Sequence, residues 1–472
     1  MAQFSLQDFG AAGDGISDDT AAIQAWLNSA AGASPAEPAA LIAANGIYRF
    51  TSALTIPAVN NISLSGSGPF STVFLYDGVD STIDLLTCGD GTPHYGWSLS
   101  NFRFTSNTVM TVGFALHSRR IDRIYVDNVV MDGVDGTRKL HGGFWFDDVQ
   151  QGYLTQYQNF VQDIGIRVNG NASDDHGADL FIDKGMNVSC NVGIHVAGGF
   201  GGIYVDNTVN FGCGTSVLID NAAVARHNRE IFFGDHFVSD GAFKSGIHFN
   251  DTLTSNAPVT IGGFVGSSGV FGGTPANGIF VENWAHGRIS VNCGQVFNCK
   301  SNGIEVADLT TYVEVSSSTY IFNNEGYGIY AAEAASRVSS YAKAFHNTNG
   351  NYGNIAGDGV WVGYTPAVSS QIGHIPAKSA TGRYRKDRNT VQFEIAITIT
   401  TNGTGAGALT AALPVKPRSY AMASGREIAV GGKMLAATSA ASLNLDITNY
   451  DNSYPGVDGA ILVLTGSYEC EE

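Results

Sequence analysis

A short signature returns along the chain from Val112 to Tyr330, and it constrains the fold more than any other feature. Each copy is a glycine or small residue followed by alternating apolar positions: Gly113-Phe114, Gly143-Phe144-Trp145-Phe146, Gly165-Ile166-Arg167-Val168, Gly193-Ile194-His195-Val196, Ser216-Val217-Leu218-Ile219, Gly246-Ile247-His248-Phe249, Gly278-Ile279-Phe280-Val281, Gly303-Ile304-Glu305-Val306 and Gly328-Ile329-Tyr330. The intervals are 30, 22, 28, 23, 30, 32, 25 and 25 residues. A constant core with loops of variable length is the mark of a solenoid.

Within each unit the period is two, as in strands, and no unit holds an amphipathic helix. A second strand usually follows, as in Asp179-Leu180-Phe181-Ile182, Gly202-Ile203-Tyr204-Val205, Glu230-Ile231-Phe232-Phe233, Arg288-Ile289-Ser290-Val291 and Tyr312-Val313-Glu314-Val315. Two or three strands per turn of roughly 25 residues predict a parallel β-helix, each strand pairing with its equivalent one turn later at about 4.8 Å. Asn277-Gly278 and Asn302-Gly303 are expected to form tight corners with positive φ.

The chain has 472 residues, 59 of them glycine and 12 proline, and a formal charge of −17. That charge argues against nucleic acid and an anionic membrane surface as partners. It also disfavours a strongly acidic polysaccharide unless a local basic patch exists. No stretch approaches the roughly 20 apolar residues of a membrane span, and Met1 to Ser5 begins no secretory signal. Cys88, Cys190, Cys213, Cys293, Cys299 and Cys470 lack metal-ligand spacing and read as free, buried thiols. No cofactor and no metal site is expected.

The N-terminus reads as a turn-rich strand exit, Asp8 to Gly15, followed by a capped helix from Asp18-Asp19-Thr20 to Leu27. Ala22, Ile23, Trp26 and Leu27 form its apolar stripe. Such a helix would cover the open end of a β-helix, whose raw strand edge invites aggregation. Asp14, Asp18 and Asp19 are read as cap and turn residues rather than metal ligands. This stretch, continued through Gly46-Ile47-Tyr48-Arg49-Phe50, Leu54-Thr55-Ile56-Pro57 and Ile62 to Gly68, resembles the start of the pectate-lyase-like β-helix superfamily, which includes bacteriophage tailspikes and polygalacturonase-like enzymes.

After Tyr330 the repeat fades. Residues 363–382 are expected to be a Pro/Ser/Gly-rich linker. Beyond it, Val391, Phe393, Ile395, Ile397 and Ile399 alternate with polar residues, as do Leu443, Leu445 and Ile447, which predicts an antiparallel β-sandwich over 383–472. This tail is similar to the C-terminal modules of phage tail fibres and tailspikes in Gly382-Arg383-Tyr384-Arg385, Asn402 to Gly407, Leu413-Pro414 and Thr465 to Glu469. The expected plan is therefore a cap (1–32), a right-handed parallel β-helix (33–362), a linker, and a C-terminal β-sandwich for trimerisation or glycan binding. The resemblance implies a homotrimer carried on a phage tail, made in the host cytoplasm without a signal peptide and acting outside the cell on a bacterial surface polysaccharide. Tailspikes usually carry an N-terminal particle-binding domain, and here the β-helix begins within ten residues of Met1. The resemblance thus implies either a separate adaptor protein on the virion or a spike detached from it.

A β-helix has a packed interior, so chemistry must lie on its outer face. Aligning the second strands turns Phe181, Tyr204 and Phe232 outward, with Asp179, Glu230 and Arg288 in the column before them and Asp183 and Asp206 in the column after. Aromatic rings that stack on sugar faces beside carboxylates suit a glycan chain. The alternative is an aromatic column buried by a neighbouring subunit. The segments Asn171 to His176, Ala225 to Glu230 and Glu282 to Arg288 gather further acids, bases and a tryptophan. Glycoside hydrolysis needs one carboxylic acid to protonate the leaving oxygen and a second as base or nucleophile. The candidate catalytic residues are Glu230 with Asp175 or Asp179, and Asp174. His176, Tyr204, Arg226, His227, Arg229, Phe232, Trp284 and Arg288 are the candidate substrate holders. Asp147-Asp148, Asp235-His236 and Asp240 are further candidates. Two alternatives to an endo-glycosidase remain, a polysaccharide lyase and a non-catalytic receptor-binding adhesin.

Overall fold

The structure is a computed structural model that describes residues 2–470 save 35, 133–137, 172–176, 227, 254–257, 309, 333–336, 356–358 and 388. It divides into two compact units, residues 1–337 with 342–354, and residues 338–341 with 355–472.

The first unit is a parallel β-helix with three strand faces. One face runs through Gln150–Thr155, Ile231–Phe233, Pro258–Ile261, Arg288–Val291 and Tyr312–Val315; a second through Val238–Asp240, Phe264–Gly266, Gln295–Phe297 and Tyr320–Phe322. The third is a sheet of twelve strands, from Leu54–Ile56 to Gly350–Gly353. The long strands Ile121–Met131, Ala178–Val188 and Gly201–Phe211 serve both the first and second faces. They bend between them at Asn128, Lys184 and Asn207, where φ is 52°, 53° and 44°.

Strand pairing is in register from coil to coil: Leu180, Ile203 and Ile231 stack inward on the first face, and Phe144, Ile166, Ile194, Val217, Ile247 and Ile279 on the third. All are fully buried. Helix α1 (Thr20–Asn28) covers the first coils with Ile23, Trp26 and Leu27, and Trp26 Nε1 donates to the Phe4 carbonyl at 2.9 Å. Asp18 accepts from the Thr20 amide at 3.0 Å, as a cap does, whereas Asp19 holds the preceding turn by accepting from the Ala12 and Gly13 amides at 2.7 and 3.1 Å. No helix among the described residues is long and apolar enough to cross a membrane. The six cysteines are free and buried, and burial pushes the thiols of Cys293 and Cys299 up to about 12.

The recurring glycines act differently from the expectation at the corners. Gly278 and Gly303 are absent from the positive-φ residues. Their role is space. A Cβ on Gly165 would lie 2.3 Å from Asn187 Oδ1, one on Gly193 2.3 Å from Asn210 Oδ1, and one on Gly143 2.5 Å from Asn159 Oδ1. Those asparagines form a ladder inside the wall, Asn159 Nδ2 donating to Asn187 Oδ1 at 2.8 Å and Asn187 Nδ2 to Asn210 Oδ1 at 2.9 Å, all three with no exposed surface. In these three coils the signature glycine is therefore the vacancy that a buried amide ladder needs. Asn277 and Asn302 instead both donate to Glu305 Oε2 at 2.9 Å.

The second unit is one antiparallel sheet of nine strands. The expected sandwich takes the form of a single sheet curved around one core of Val391, Phe393, Ile395, Ile397, Leu409, Leu445, Ile447, Leu462 and Leu464. The stretch 363–382, expected as a linker, supplies strand residues to it in Val362–Tyr364, Val368–Ile372 and Ala377–Asp387. Its serines and glycines alternate on a sheet with one wet face, so they carry no linker signal there. Leu443 is 48 % exposed, because the strand begins only at Asn444 after the turn at Ala441.

Replacing Asn187 by Ala breaks both rungs of the ladder and strands two buried amides, which should cost about 2 kcal/mol. Gly193→Ala, which drives a methyl into Asn210, should cost about as much. Urea unfolding curves of both variants check this.

Candidate functional site

The first face carries the aromatic column in the expected register, and it is longer than expected. Tyr125, Tyr153, Phe181 and Tyr204 stack with centroids 4.8, 4.9 and 4.8 Å apart and interplanar angles of 1°, 9° and 12°, and Phe232 continues them at 6.5 Å. Parallel pairing at about 4.8 Å per coil imposes that spacing on identical outward positions. Asp179 aligns with Gly202, and Gly202 with Glu230, through the pairing of the strands that contain them. Burial first, then the charges of Glu230 and Asp179, raise the Tyr204 phenol above its ordinary value. Two coils apart, their Cα atoms are about 10 Å from each other.

The other candidates scatter. Arg288 lies two coils beyond Glu230 in the same column, where it pairs with Glu314 at 2.6 Å. Arg226 Nη1 turns back to the Asn171 carbonyl at 3.0 Å, and Arg229 is exposed beside Gly201. Trp284 is not a substrate holder: it is fully buried and packs edge-on against Phe249 at 5.3 Å. A bulge after Phe249 pairs Asp251 with Trp284, so the side-chain alternation slips by one and the indole turns into the core. Asp183 and Asp206 do stack in register, but Asn207 Nδ2 donates to Asp183 at 2.8 Å and the His236 amide to Asp206 at 3.0 Å. Asp174, Asp175, His176 and His227 lie outside the described residues.

The densest chemistry is instead at the corner where the third face turns into the first. Outward positions of four consecutive coils stack His117, Trp145, Arg167 and His195 in one column. Two residues on, Arg119, Asp147 and Asn169 stack in the next. The corner residues Arg120 and Asp148 follow, both at φ 56°. Trp145, Arg167, Arg119, Asp147, Asn169, Arg120 and Asp148 line a cleft of about 450 Å³ with Asn171, Ala223 and Val224, and His117 lies behind Trp145.

Its side chains are interlocked. His117 and Trp145 stack at 3.8 Å and 2°, and the Arg167 guanidinium lies 4.8 Å over the same indole. Trp145 Nε1 donates to Asn169 Oδ1 at 2.6 Å, and Asn169 Nδ2 donates to Asp147 Oδ1 at 2.6 Å. His117 Nδ1 sits 2.7 Å from Asp84 Oδ2 and Nε2 3.5 Å from Asp147 Oδ2. Burial pulls the His117 pKa down, but hydrogen bonds to Asp147 and Asp84 outweigh it and hold the imidazole above its ordinary 6.5. Burial raises Asp84, and His117 more than reverses this, leaving the carboxyl below its ordinary value. Burial also penalises the Arg167 charge, partly offset by Asp147, Asp220 and Asp163. Asp148 is 5 % exposed and meets Arg120 at 3.4 Å and Asn171 at 3.3 Å. Two consecutive carboxylates thus occupy unlike surroundings, Asp147 partly open to water and Asp148 buried against a guanidinium. Among the described residues there is no group of three or more His, Cys, Asp or Glu placed to hold a metal.

A family model described as "Rhamnogalacturonase A/epimerase, pectate lyase-like" matches residues 3–220. The match covers 218 of the chain's 472 residues and lies within the first unit. Structures similar to this β-helix protein include gene product 12 of bacteriophage phi29 in its pre-mature form, at TM-score 0.52 and 14 % identity over 75 % of this chain and 50 % of that one. They also include the Dettilon tailspike protein, at TM-score 0.48 and 11 % identity over 99 % and 94 %. The A-module of mannuronan C-5 epimerase from Azotobacter vinelandii matches at TM-score 0.47 and 15 % identity over 75 % and 96 %. At these identities the likeness is one of fold. No curated protein matches the β-helix protein.

The His117–Asp84 pair makes stability depend on pH. The raised imidazole contributes fully below its ordinary pKa and loses that contribution as pH rises through the folded value. The depressed carboxyl contributes above the ordinary carboxylate range and loses it as pH falls. Thermal melting should therefore be highest between about pH 4 and 6.5 for this pair, and His117→Gln should flatten the alkaline limb.

Proposed function

We propose that this chain is a phage tailspike that binds a bacterial surface polysaccharide and depolymerises it by endo-glycosidic hydrolysis. The observation that carries the reading is the adjacency of a carboxylate cleft to an outward aromatic track. Asp148 is followed at once by the strand Gln150–Thr155, whose Tyr153 is a rung of the ladder. A glycan can therefore lie across the rings while one linkage reaches the corner. The family described for residues 3–220 and the phage proteins of like fold support this assignment.

Hydrolysis needs a proton donor and a base or nucleophile about 5 to 9.5 Å apart. Asp147 and Asp148 line one cleft, whereas the backbones of Glu230 and Asp179 are two coils apart. Asp147, held by Asn169 and flanked by His117, and Asp148, paired with Arg120, are the two carboxylates of the corner. Asp174 and Asp175 follow Asn171, which lines the cleft, and remain candidates for the second carboxylate, with His176 and His227 assisting. Tyr204, Phe232, Arg226 and Arg229 hold the chain along the first face. We propose a homotrimer as the working form.

A second reading rests on Arg119, Arg120 and Arg167, which make the cleft locally basic in a chain of charge −17. Guanidinium groups that neutralise a uronate carboxylate would suit a lyase, in which a base abstracts the neighbouring proton.

Asp147→Asn and Asp148→Asn should each lower the release of reducing ends by at least about 100-fold, in the range of lost general acid–base catalysis. Glu230→Gln and Asp179→Asn should act mainly on KM. Ultraviolet absorbance of an unsaturated product would favour the lyase. Full activity in both asparagine variants would remove the corner from consideration, and glycan binding with no bond cleaved would leave an adhesin.

A further inference from the structure

The outer face of the C-terminal sheet holds an arrangement that the β-helix site does not use. On the paired strands Ala377–Asp387 and Thr390–Thr401, Arg383 faces Glu394 and Arg385 faces Gln392. Arg383 Nε donates to Glu394 Oε2 at 2.7 Å, and Arg385 Nε to Gln392 Oε1 at 2.9 Å. Residues two apart on a strand share a face, and both guanidinium groups meet one ring: their carbons lie 4.8 and 5.5 Å from the centre of Trp361. The indole is 37 % exposed and borders an open cleft of about 630 Å³ that also includes Gln392, Glu394, Met422, Ser424 and Thr465.

We propose that this cleft is a second glycan-binding site, with Trp361 as its stacking platform. An exposed tryptophan braced by two cations has lost most of its rotamer freedom before any ligand arrives, so stacking costs little further ordering. One of the bracing charges is neutralised locally, Arg383 by the Glu394 carboxylate at 2.7 Å, while Arg385 rests on the neutral Gln392 amide. The platform therefore offers an apolar plate with one guanidinium, Arg385, left charged at its edge. Around it stand hydroxyl and amide groups that both donate and accept and a carboxylate that accepts, the set that ring hydroxyls require. The occupant is a pyranose chain of low charge, laid with an apolar sugar face on the indole. Such a site would hold the polymer while the β-helix corner works elsewhere along it, which raises effective concentration.

The test uses the full chain carrying Asp147→Asn and Asp148→Asn, so that turnover does not remove the probe. It is applied to an array of immobilised, purified bacterial capsular and O-antigen polysaccharides, with and without Trp361→Ala or Trp361→Phe. Retention on the glycans bound should fall at least tenfold for the alanine variant and less for phenylalanine, with melting temperatures unchanged. Equal retention with Trp361→Ala, a change only in self-association, or no retained glycan at all overturns the proposal. Retention that depends on Trp361 beside a native chain that cleaves nothing would sink the depolymerase reading and leave this site standing.

Discussion

Everything in the β-helix depends on the in-register parallel pairing of each strand with its counterpart one coil away. The pairing places like positions at a repeat of about 4.8 Å, and three consequences follow from that single constraint. Inward aliphatic residues become a continuous core. Buried asparagines become a ladder in which Asn159 donates to Asn187 and Asn187 to Asn210, the kind of pairing that keeps amides inside a wall. Outward aromatics become a stack from Tyr125 to Tyr204 at the same spacing. In the three coils of that ladder the glycine of the signature belongs to the second consequence, because the amide ladder occupies the volume a Cβ would need.

The corner cleft uses the same constraint for a different end. Stacking brings His117, Trp145, Arg167 and His195 together although they are separated by more than twenty residues at each step. A ladder of identical residues would only build a wall. Unlike residues in successive rungs build a site, with an indole clamped between an imidazole and a guanidinium and a carboxylate fixed by an amide. The electrostatics follow from the crowding. Burial penalises each charge, and the neighbouring coil supplies the opposite one, so His117 ends raised and Asp84 depressed.

Much of the first face was legible from spacing alone. Phe181, Tyr204 and Phe232 share a column, as do Asp179 and Glu230, because alternation and repeat length are properties of the string. Trp284 was misread for a reason of the same kind: one extra residue in the strand reverses the alternation, and nothing in Glu282-Asn283-Trp284 announces it. Asp147-Asp148 was visible as a candidate pair, whereas its partners were not. His117 and Arg167 sit at outward positions of the signature strands, where the eye reads only the apolar alternation. The signal that would have found them is the column of outward residues read down the signature itself. Likewise, residues 363–382 looked like a linker because a half-wet sheet edge and a loop share a composition.

The sequence by itself determined the period, and with it the β-helix, the direction in which most side chains point, the capping helix and the change of pattern before the C-terminal sheet. These depend on local alternation and on recurrence, which a linear string records. Tertiary structure alone decided where the corners fall and which coils bulge. It decided which unlike residues become rungs of one column, and that two arginines of the C-terminal sheet converge on Trp361. A shift of one residue in a strand exchanges inside for outside, so the positions that carry chemistry are settled by coil-to-coil register.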